Sequence, residues 1–134
     1  MKQLAMPVRN ALNHPLEFLM DKCLFCKIIK KEIPSRVVYE DEKSLAFHDV
    51  NPQAPVHILI IPKVHKAGLL DFQENEDGPL LVHLHSVVQK IVKEKGLDQK
   101  GFRLVVNTGN DGGQTVHHLH FHLLAGRSMT WPPG

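Results

Sequence analysis

The chain has 134 residues, a length that suits one domain with one hydrophobic core. Its formal net charge of +2, with the histidines neutral, lies far from the basicity of a dedicated nucleic-acid-binding protein. No apolar run is long enough to span a bilayer, and two cysteines are too few for a small secreted disulfide scaffold. We therefore expect a cytoplasmic protein whose partners include neither a membrane nor a specific nucleic acid.

The first 20 residues are interpreted as an extension that precedes a domain over residues 21–134. Arg9, His14 and Pro15 interrupt this segment, so it lacks the continuous apolar core of a secretory signal. The spacing of its leucines fits a short amphipathic helix. A basic organelle presequence is the alternative interpretation of the same residues.

The rest of the chain alternates between predicted helices and strands without the regular crossovers of a doubly wound sheet. A short helix is predicted over residues 24–32, ending before Pro34, and a long helix over residues 79–95, where apolar residues recur on one broad face. Strands are predicted over residues 36–40, 44–48, 56–61, 102–107 and 117–124. The expected fold class is therefore α+β with an antiparallel sheet.

Three alternating histidines, His118, His120 and His122, are the most unusual feature of the chain. In a strand, alternate residues share one face at intervals of about 6.7 Å, so these imidazoles would point one way while Leu119 and Phe121 point into the core. From this run alone, a metal site and a catalytic nucleophile are equally good interpretations, because His-x-His pairs on strands also bind zinc. A solvated strand with chance histidines is the third interpretation.

A glycine-rich loop, residues 109–115 (GNDGGQT), directly precedes the histidines. Backbone N–H groups in such loops hold anionic oxygens well. A phosphate-binding loop that leads into imidazoles favours phosphoryl or nucleotidyl transfer over a plain metal site.

Cys23 and Cys26 form a Cys-x-x-Cys pair, which supplies two sulfur atoms at metal-ligand spacing. A redox pair is one alternative, although no thioredoxin-like βαβ pattern surrounds the motif. Two free thiols are the other alternative.

The run HLHFHLL fits the His-φ-His-φ-His-φ-φ signature of the histidine-triad superfamily, and the chain resembles its Hint branch of purine nucleoside phosphoramidases. The resemblance extends over CLFCKIIKKEIPS, LAFHDVNPQAPVHILIIPKVH, GFRLVVNTGNDGGQTVHHLHFH and the terminal WPPG. It implies a five-stranded antiparallel sheet with two main helices, and a homodimer in which two sheets join into one of ten strands.

The resemblance also implies a reaction, in which the enzyme cleaves the P–N bond of adenosine 5′-phosphoramidates and related aminoacyl nucleotides and releases AMP. His120 would attack the phosphorus and form a covalent nucleotidyl-histidine intermediate, with no metal needed for catalysis. His122 and His57 would assist at the phosphate or the leaving group, and Thr115 would supply a hydroxyl where many Hint proteins have serine. The alternatives are a dinucleoside polyphosphate hydrolase of the same superfamily and a zinc-stabilised nucleotide-binding or scaffold protein with little catalysis.

A purine-nucleotide site follows from the same resemblance. Asp49 corresponds to the carboxylate that binds the ribose hydroxyls, and Trp131 to a C-terminal residue near the partner protomer's active site. A plain core position is an equally good interpretation for Ile28 and Leu59. The other implied nucleotide contacts are Phe25, Phe47, His48, Val50, Asn107, Gly113, Gln114, Thr115, Val116, His120 and His122.

Zinc-binding members of the superfamily complete their site with the histidine of an Ile-Pro-Lys-x-His motif and the first histidine of the triad. Here those residues are His65 and His118, which together with Cys23 and Cys26 imply a structural Cys2His2 zinc site. Such a site would remove His118 from the chemistry.

Overall fold

The computed structural model describes residues 20–134, so the extension predicted over residues 1–20 lies almost entirely outside the described residues. The chain divides into two compact units, with the boundary between Pro34 and Ser35. Within residues 20–134, no helix is both long and apolar enough to cross a membrane.

The described part of the first unit contains helix α1, Leu24–Ile29, which is shorter than the helix predicted over residues 24–32. Cys23 is its N-cap, and the Cys23 sulfur accepts a hydrogen bond from the backbone N–H of Cys26 at 3.4 Å. Lys30 caps the other end, and Lys31 then adopts a left-handed backbone with φ of 66°. The helix stops there because a right-handed helix cannot continue through that conformation.

The second unit contains a five-stranded antiparallel sheet, as the sequence predicted. Its spatial order is β1-β2-β3-β5-β4, so β1 and β4 are the two edges. The strands are β1, Val37–Glu40; β2, Ser44–His48; β3, Val56–Pro62; β4, Arg103–Val106; and β5, Phe121–Ala125. The two central strands, β3 and β5, therefore lie side by side in the middle of the unit.

A long helix, α2 (Glu74–Glu94), packs its apolar stripe against one face of this sheet. The core of the unit combines that stripe with inward-facing strand residues: Ala46, Ile58, Ile60, Leu84, Val87, Val88, Ile91, Val92, Leu119, Phe121 and Leu123. Because alternate strand residues point to opposite faces, His57 and Leu59 of β3 and His122 of β5 lie on the other face. The sheet thereby separates the apolar core from the histidines.

Helix α2 begins at Glu74, five residues before the predicted start at Pro79. The prediction was wrong because Gly78-Pro79 was interpreted as a helix boundary, whereas both residues lie within the early turns. The Asp77 carboxylate stabilises this start, because it accepts a hydrogen bond from the backbone N–H of the N-cap residue Gln73 at 2.7 Å. That bond, with a contribution from Lys66, lowers the pKa of Asp77.

The strand predicted over residues 117–124 is wrong in its first half, since β5 begins only at Phe121. The backbone N–H of Leu119 leaves the strand ladder and donates to the carbonyl of Lys66 at 2.7 Å. His118 and His120 therefore precede the strand, and the expected even spacing of three histidines along it does not hold. Leu119 and Phe121 nevertheless lie in the core as predicted.

Candidate active site

The pairing of β3 with β5 brings two histidines from distant parts of the chain together. Leu59 is opposite His122 in the register, and His57 is opposite Leu124, so His57 and His122 are diagonal neighbours on one face. The Nε2 atom of His57 lies 2.9 Å from Nδ1 of His122. The ring of His120 is next in line, with its centroid 4.8 Å from that of His122. The three predicted catalytic histidines thus form one contiguous group.

Backbone groups determine which nitrogen of His57 carries the proton. The backbone N–H of Gln53 donates to Nδ1 of His57 at 3.0 Å, so Nδ1 is an acceptor. The single proton of the neutral ring is therefore on Nε2, where it is donated to Nδ1 of His122. The same Nε2 lies 3.3 Å from a carboxylate oxygen of Asp49. His122, as the acceptor at Nδ1, then carries its own proton on Nε2.

The tautomer of His120 is set by a different backbone group. Its Nδ1 lies 2.7 Å from the carbonyl oxygen of His118, and only a protonated Nδ1 can donate to that oxygen. In the neutral ring, Nε2 then keeps its lone pair. The residue is buried, with 6% exposure, so its ring is held in place. These are the properties of an imidazole nucleophile.

Burial keeps all three of these rings neutral. It lowers the pKa of His57 and of His120 from the ordinary value of 6.5. Burial, together with the neighbouring His120 and His57, lowers the pKa of His122 to about 4. At pH 7 the group therefore contains an unprotonated nitrogen on His120 and N–H donors on its neighbours.

The glycine-rich loop contains one turn of helix, α3 (Gly109–Gly112), followed by Gly113 with φ of 86°. Gln114 braces this loop from inside, because its side-chain oxygen accepts from the N–H of Gly109 and its amide nitrogen donates to the carbonyls of Ala67 and Val116. Its backbone N–H is also used, by the Gly109 carbonyl. Gln114 therefore holds the loop in shape, with its side chain and its backbone N–H both bonded within the protein.

Backbone donors just before the histidine group remain for an anion. Within residues 20–134, the N–H groups of Thr115 and Val116 have no hydrogen-bond partner. Thr115 is exposed, which leaves its hydroxyl accessible to a bound molecule. Consecutive backbone N–H groups of this kind bind anionic oxygens. They directly precede the histidine group in the chain.

The other predicted nucleotide contacts differ widely in exposure. Phe47 and Leu59 are buried on the strands of the second unit, and Phe25 and Ile28 are buried on α1. Val50 and Trp131 are almost fully exposed, and the Trp131 ring lies 6.0 Å below the guanidinium of Arg103. The half-buried members are His48, Asp49, Asn107 and Val116. Burial lowers the pKa of His48, aided by Arg36 and Lys95, so that its ring is also neutral.

His65 and His118 form a second histidine pair, with their Nδ1 atoms 3.2 Å apart. His118 is fully buried, and its Nε2 lies 2.8 Å from the carbonyl oxygen of Pro62, so Nε2 is protonated and Nδ1 keeps its lone pair. Two nitrogens bound to a tetrahedral zinc at about 2.05 Å are about 3.3 Å apart. Burial lowers the pKa of His118 to about 4, so the ring stays neutral as a metal ligand must.

Cys23 and Cys26 supply two buried sulfur atoms. Burial, together with the neighbouring Cys23, raises the pKa of the Cys26 thiol to about 12. Without a cation, Cys26 is therefore a neutral thiol at pH 7. Within the Cys23–Cys26 pair, as within the His65–His118 pair, the ligand atoms lie within 4.8 Å of one another. Both pairs have donor atoms that zinc prefers.

Asp49, His57 and His122 also place their ligand atoms within 4.8 Å of one another, but their protonation does not suit a metal. The proton on Nε2 of His57 points at this group, because Nδ1 of that ring is already occupied by the Gln53 N–H. A metal would need that nitrogen unprotonated. This group is therefore arranged for hydrogen bonding, whereas His118 directs an unprotonated nitrogen at its partner.

A HIT domain model matches residues 30–129, which is most of the chain. The chain belongs to the HIT family. This HIT protein is 57% identical over 113 residues to a 14 kDa zinc-binding protein of Zea mays, an alignment that covers 83% of this chain and 87% of that one. It is 50% identical over 113 residues to the adenylylsulfatase HINT1 of Arabidopsis thaliana, covering 83% and 76% of the two chains.

Among solved structures, the HIT protein is similar to a HIT family hydrolase from Legionella pneumophila Philadelphia 1, with a TM-score of 0.82 and 51% identity. That alignment covers 84% of this chain and 100% of the other. The comparisons confirm the histidine-triad family and the five-stranded fold expected from the sequence.

Sequence reasoning missed two residues that support the site, Gln53 through its backbone and Arg127 through its side chain. Gln53 sets the tautomer of His57, and the Arg127 guanidinium holds the Gln53 carbonyl from two nitrogens, at 3.1 and 3.0 Å. No motif marks either residue. The only available signal was their position, in the turn before β3 and just after β5.

Proposed function

We propose that this protein hydrolyses adenosine 5′-phosphoramidates and related aminoacyl nucleotides at the α-phosphorus and releases AMP. The observation that carries the proposal is the hydrogen bond from Nδ1 of His120 to the His118 carbonyl, which leaves a lone pair on Nε2 of a buried, neutral ring. A binding protein has no need for such an arrangement, so it favours catalysis over a scaffold function.

In the first step, Nε2 of His120 forms a bond to phosphorus while the P–N bond of the substrate breaks. The electron pair of that bond goes to the leaving nitrogen, which takes a proton from water. In the second step, water attacks phosphorus, the bond to His120 breaks, and the water proton returns to solvent. Dividing the displacement into two steps is ordinary covalent catalysis.

The neighbours of His120 would stabilise the charge on the phosphate during both steps. The Nε2–H of His122 is a donor for a phosphate oxygen, and His57 holds His122 in that tautomer through a 2.9 Å hydrogen bond. The N–H groups of Thr115 and Val116 are further donors, and donors fixed in advance are the most effective at a developing negative charge. The Thr115 hydroxyl would contact the leaving group, and Asp49 the ribose hydroxyls.

The leaving group has a second candidate. The relative from Arabidopsis thaliana is named an adenylylsulfatase, and adenylyl sulfate also releases AMP when its α-phosphorus is attacked. The same His120 attack would serve with sulfate as the leaving group. A dinucleoside polyphosphate substrate would require room for a second nucleoside beyond the phosphates.

We further propose that zinc is bound by Cys23, Cys26, His65 and His118, with a structural role. Support comes from the 3.2 Å spacing of the two histidine nitrogens, the paired buried cysteines and the relative named as a zinc-binding protein. A four-ligand zinc stabilises a fold and leaves no position for substrate, so catalysis would not depend on it. We expect a cytoplasmic location, where such thiols remain reduced.

A homodimer is part of the proposal. Strand β4 is a sheet edge, and beside it an apolar depression of about 260 Å³ is lined by residues that include Val88, Val92, Phe102 and Leu104. Pairing β4 with a second copy would join two five-stranded sheets and cover this depression.

The test is AMP release from an adenosine 5′-phosphoramidate, with adenylyl sulfate and a dinucleoside triphosphate as competing substrates. His117→Ala is the matched control for His120→Ala, because His117 is an exposed histidine outside the group. We expect wild type and His117→Ala to release AMP and His120→Ala to be inactive. Equal activity in all three proteins would refute the assignment of the nucleophile, and AMP binding without turnover would favour the scaffold alternative.

A further inference from the structure

We propose that Arg127 is a positioning residue of the active site, which controls the tautomer of His57 by holding Gln53. The consequence for turnover rests on the function proposed above. The consequence for the tautomer does not, because it follows from hydrogen bonds alone.

Two nitrogens of the Arg127 guanidinium donate to one backbone oxygen, the carbonyl of Gln53. Its Nε donates to the Gln53 carbonyl at 3.1 Å and its Nη2 donates to the same oxygen at 3.0 Å. Its Nη1 donates to the carbonyl of Ser128 at 3.0 Å. Because the guanidinium is planar and its donors are fixed relative to one another, two bonds to one oxygen restrict both the position and the direction of that carbonyl.

A close backbone approach at Gly126 helps to position the Arg127 side chain for this contact. Gly126 has φ of 95°, and a Cβ atom there would lie only 2.8 Å from Cβ of Pro55. The end of β5 and the segment that follows Gln53 therefore approach each other as closely as a glycine allows. This close approach places the Arg127 side chain beside the turn that it holds.

The turn that Arg127 holds is attached to His57 at both ends. The Asp49 N–H donates to the His57 carbonyl at 2.9 Å, and the Gln53 N–H donates to the His57 ring at Nδ1. Within the turn, Asp49 accepts from the Asn51 N–H at 2.8 Å, and the Gln53 side chain donates to the Asn51 carbonyl at 3.0 Å. Of these bonds, only the one from Gln53 reaches the ring, and it favours the proton on Nε2 together with the Asp49 carboxylate 3.3 Å from that atom.

If the Gln53 N–H leaves Nδ1, His57 can place its proton there instead. Its Nε2 would then direct a lone pair at Nδ1 of His122, 2.9 Å away, where a second lone pair already points. His122 would have to move or change its own tautomer, and it would no longer present Nε2–H to the phosphate. Arg127 thus acts on the reaction through Gln53, His57 and His122, without touching the substrate.

The experiment measures the tautomer and the turnover of Arg127→Ala and Arg127→Lys. In ¹⁵N-labelled protein, we expect Nδ1 of His57 to resonate as an unprotonated nitrogen in wild type and to shift towards a protonated one in Arg127→Ala. We expect kcat for AMP release to fall roughly 10-fold with KM little changed, less than the about 100-fold expected for loss of an acid–base imidazole. Arg127→Lys keeps the charge with a single donor group and should shift both readouts less.

Lys100→Ala is the matched control. Lys100 lines the same surface depression of about 340 Å³ as Arg127, and no contact ties it to Gln53. The Lys100→Ala substitution removes a positive charge from the depression without disturbing the turn. We therefore expect the His57 tautomer and kcat to stay at wild-type values. We expect millimolar guanidinium to restore kcat partly in Arg127→Ala, because it can supply the donors that the side chain has lost.

An unchanged His57 tautomer in folded Arg127→Ala would overturn the proposal, as would an equal loss of kcat in Lys100→Ala. If Arg127→Ala does not fold, Arg127→Lys decides, and wild-type values of both readouts in that variant would overturn the proposal. If wild-type protein releases no AMP from any substrate tested, the proposed function fails while the ¹⁵N measurement still judges the role of Arg127.

Discussion

Nδ1 of His120 lies 2.7 Å from the carbonyl oxygen of His118, two residues earlier in the chain. Because of this contact, the backbone and the side chain of His118 have different roles. The His118 backbone sets the tautomer of the neighbouring ring, while its side chain turns away to Pro62 and His65. In the proposed function, His120 therefore uses Nε2, and not Nδ1, to attack the substrate, and the three histidines of one motif have three different hydrogen-bond environments.

The rate of AMP release should fall at a lower pH than it would if the nucleophile had the pKa of an ordinary histidine. The neutral form of His120 is the active one, and burial lowers its pKa below 6.5, so the midpoint of the acidic fall in kcat/KM should lie below pH 6.5. Initial rates between pH 4.5 and 8 would measure the midpoint. A midpoint at or above pH 6.5 would contradict the burial of this ring.

Circular dichroism at each pH is the control for that profile. The pKa of His122 is lowered to about 4, so folding favours its neutral form. The stability that depends on this neutral ring is complete above pH 6.5 and declines as the pH falls towards 4. Only rates measured where the fold is intact report on His120.

Zinc content should depend on His65 and not on an exposed histidine. We expect close to one zinc per chain in wild type and in His85→Ala, and little in His65→Ala or in Cys23→Ser/Cys26→Ser. The zinc-free variants should melt roughly 5 °C lower or more, because a bound structural metal contributes directly to folding. Equal zinc in His65→Ala and His85→Ala would contradict the four-ligand proposal.

The Asp41 carboxylate should contribute to stability through the β1–β2 turn. It accepts hydrogen bonds from the Lys43 N–H, from the N–H and hydroxyl of Ser44, and from His83 on α2, at 2.8 to 2.9 Å. Burial alone would raise the pKa of Asp41, but these bonds lower it well below its ordinary value. Asp41→Asn should therefore cost about 1–3 kcal/mol in urea unfolding at pH 7.

The pH dependence of that loss has a definite sign. Because the folded pKa is depressed, the stability from the Asp41 carboxylate is complete above the unfolded value of 3.8 and is lost as pH falls below it. The difference between wild type and Asp41→Asn should therefore still be present at pH 5 and should shrink as the pH falls below 3.8. Glu42→Gln, an exposed neighbour, is the control and should change little; an equal effect there would contradict the role of Asp41.

A charge in the depression beside β4 should dissociate the dimer. Phe102 is 44% exposed at that site, and Phe102→Glu would place a carboxylate where we propose that a second copy packs. We expect a loss of roughly 2 kcal/mol in dimer affinity, about 30-fold in Kd, by sedimentation equilibrium. Leu70→Glu is the control, because Leu70 is 84% exposed and lies outside the depression. A monomeric wild type would contradict the dimer.

Sequence patterns predicted the strands well, because alternation and turn residues are local properties. The strand start at Phe121 was missed, since the Lys66 carbonyl that takes the Leu119 N–H is distant in sequence. The types of the site residues could be predicted, but their tautomers could not. The carbonyls of Pro62 and His118 and the N–H of Gln53 set those tautomers, and any residue supplies such groups.

The covalent intermediate is the most direct test of the central claim. Wild-type protein would be mixed with an adenosine 5′-phosphoramidate labelled at phosphorus and quenched in alkali, which spares phosphorus–histidine bonds. Fragmentation mass spectrometry then locates the label. We predict a nucleotidyl group on His120 in wild type and in His117→Ala, and none in His120→Ala. A label on His118 or His122, or AMP release from His120→Ala at the wild-type rate, would contradict the account.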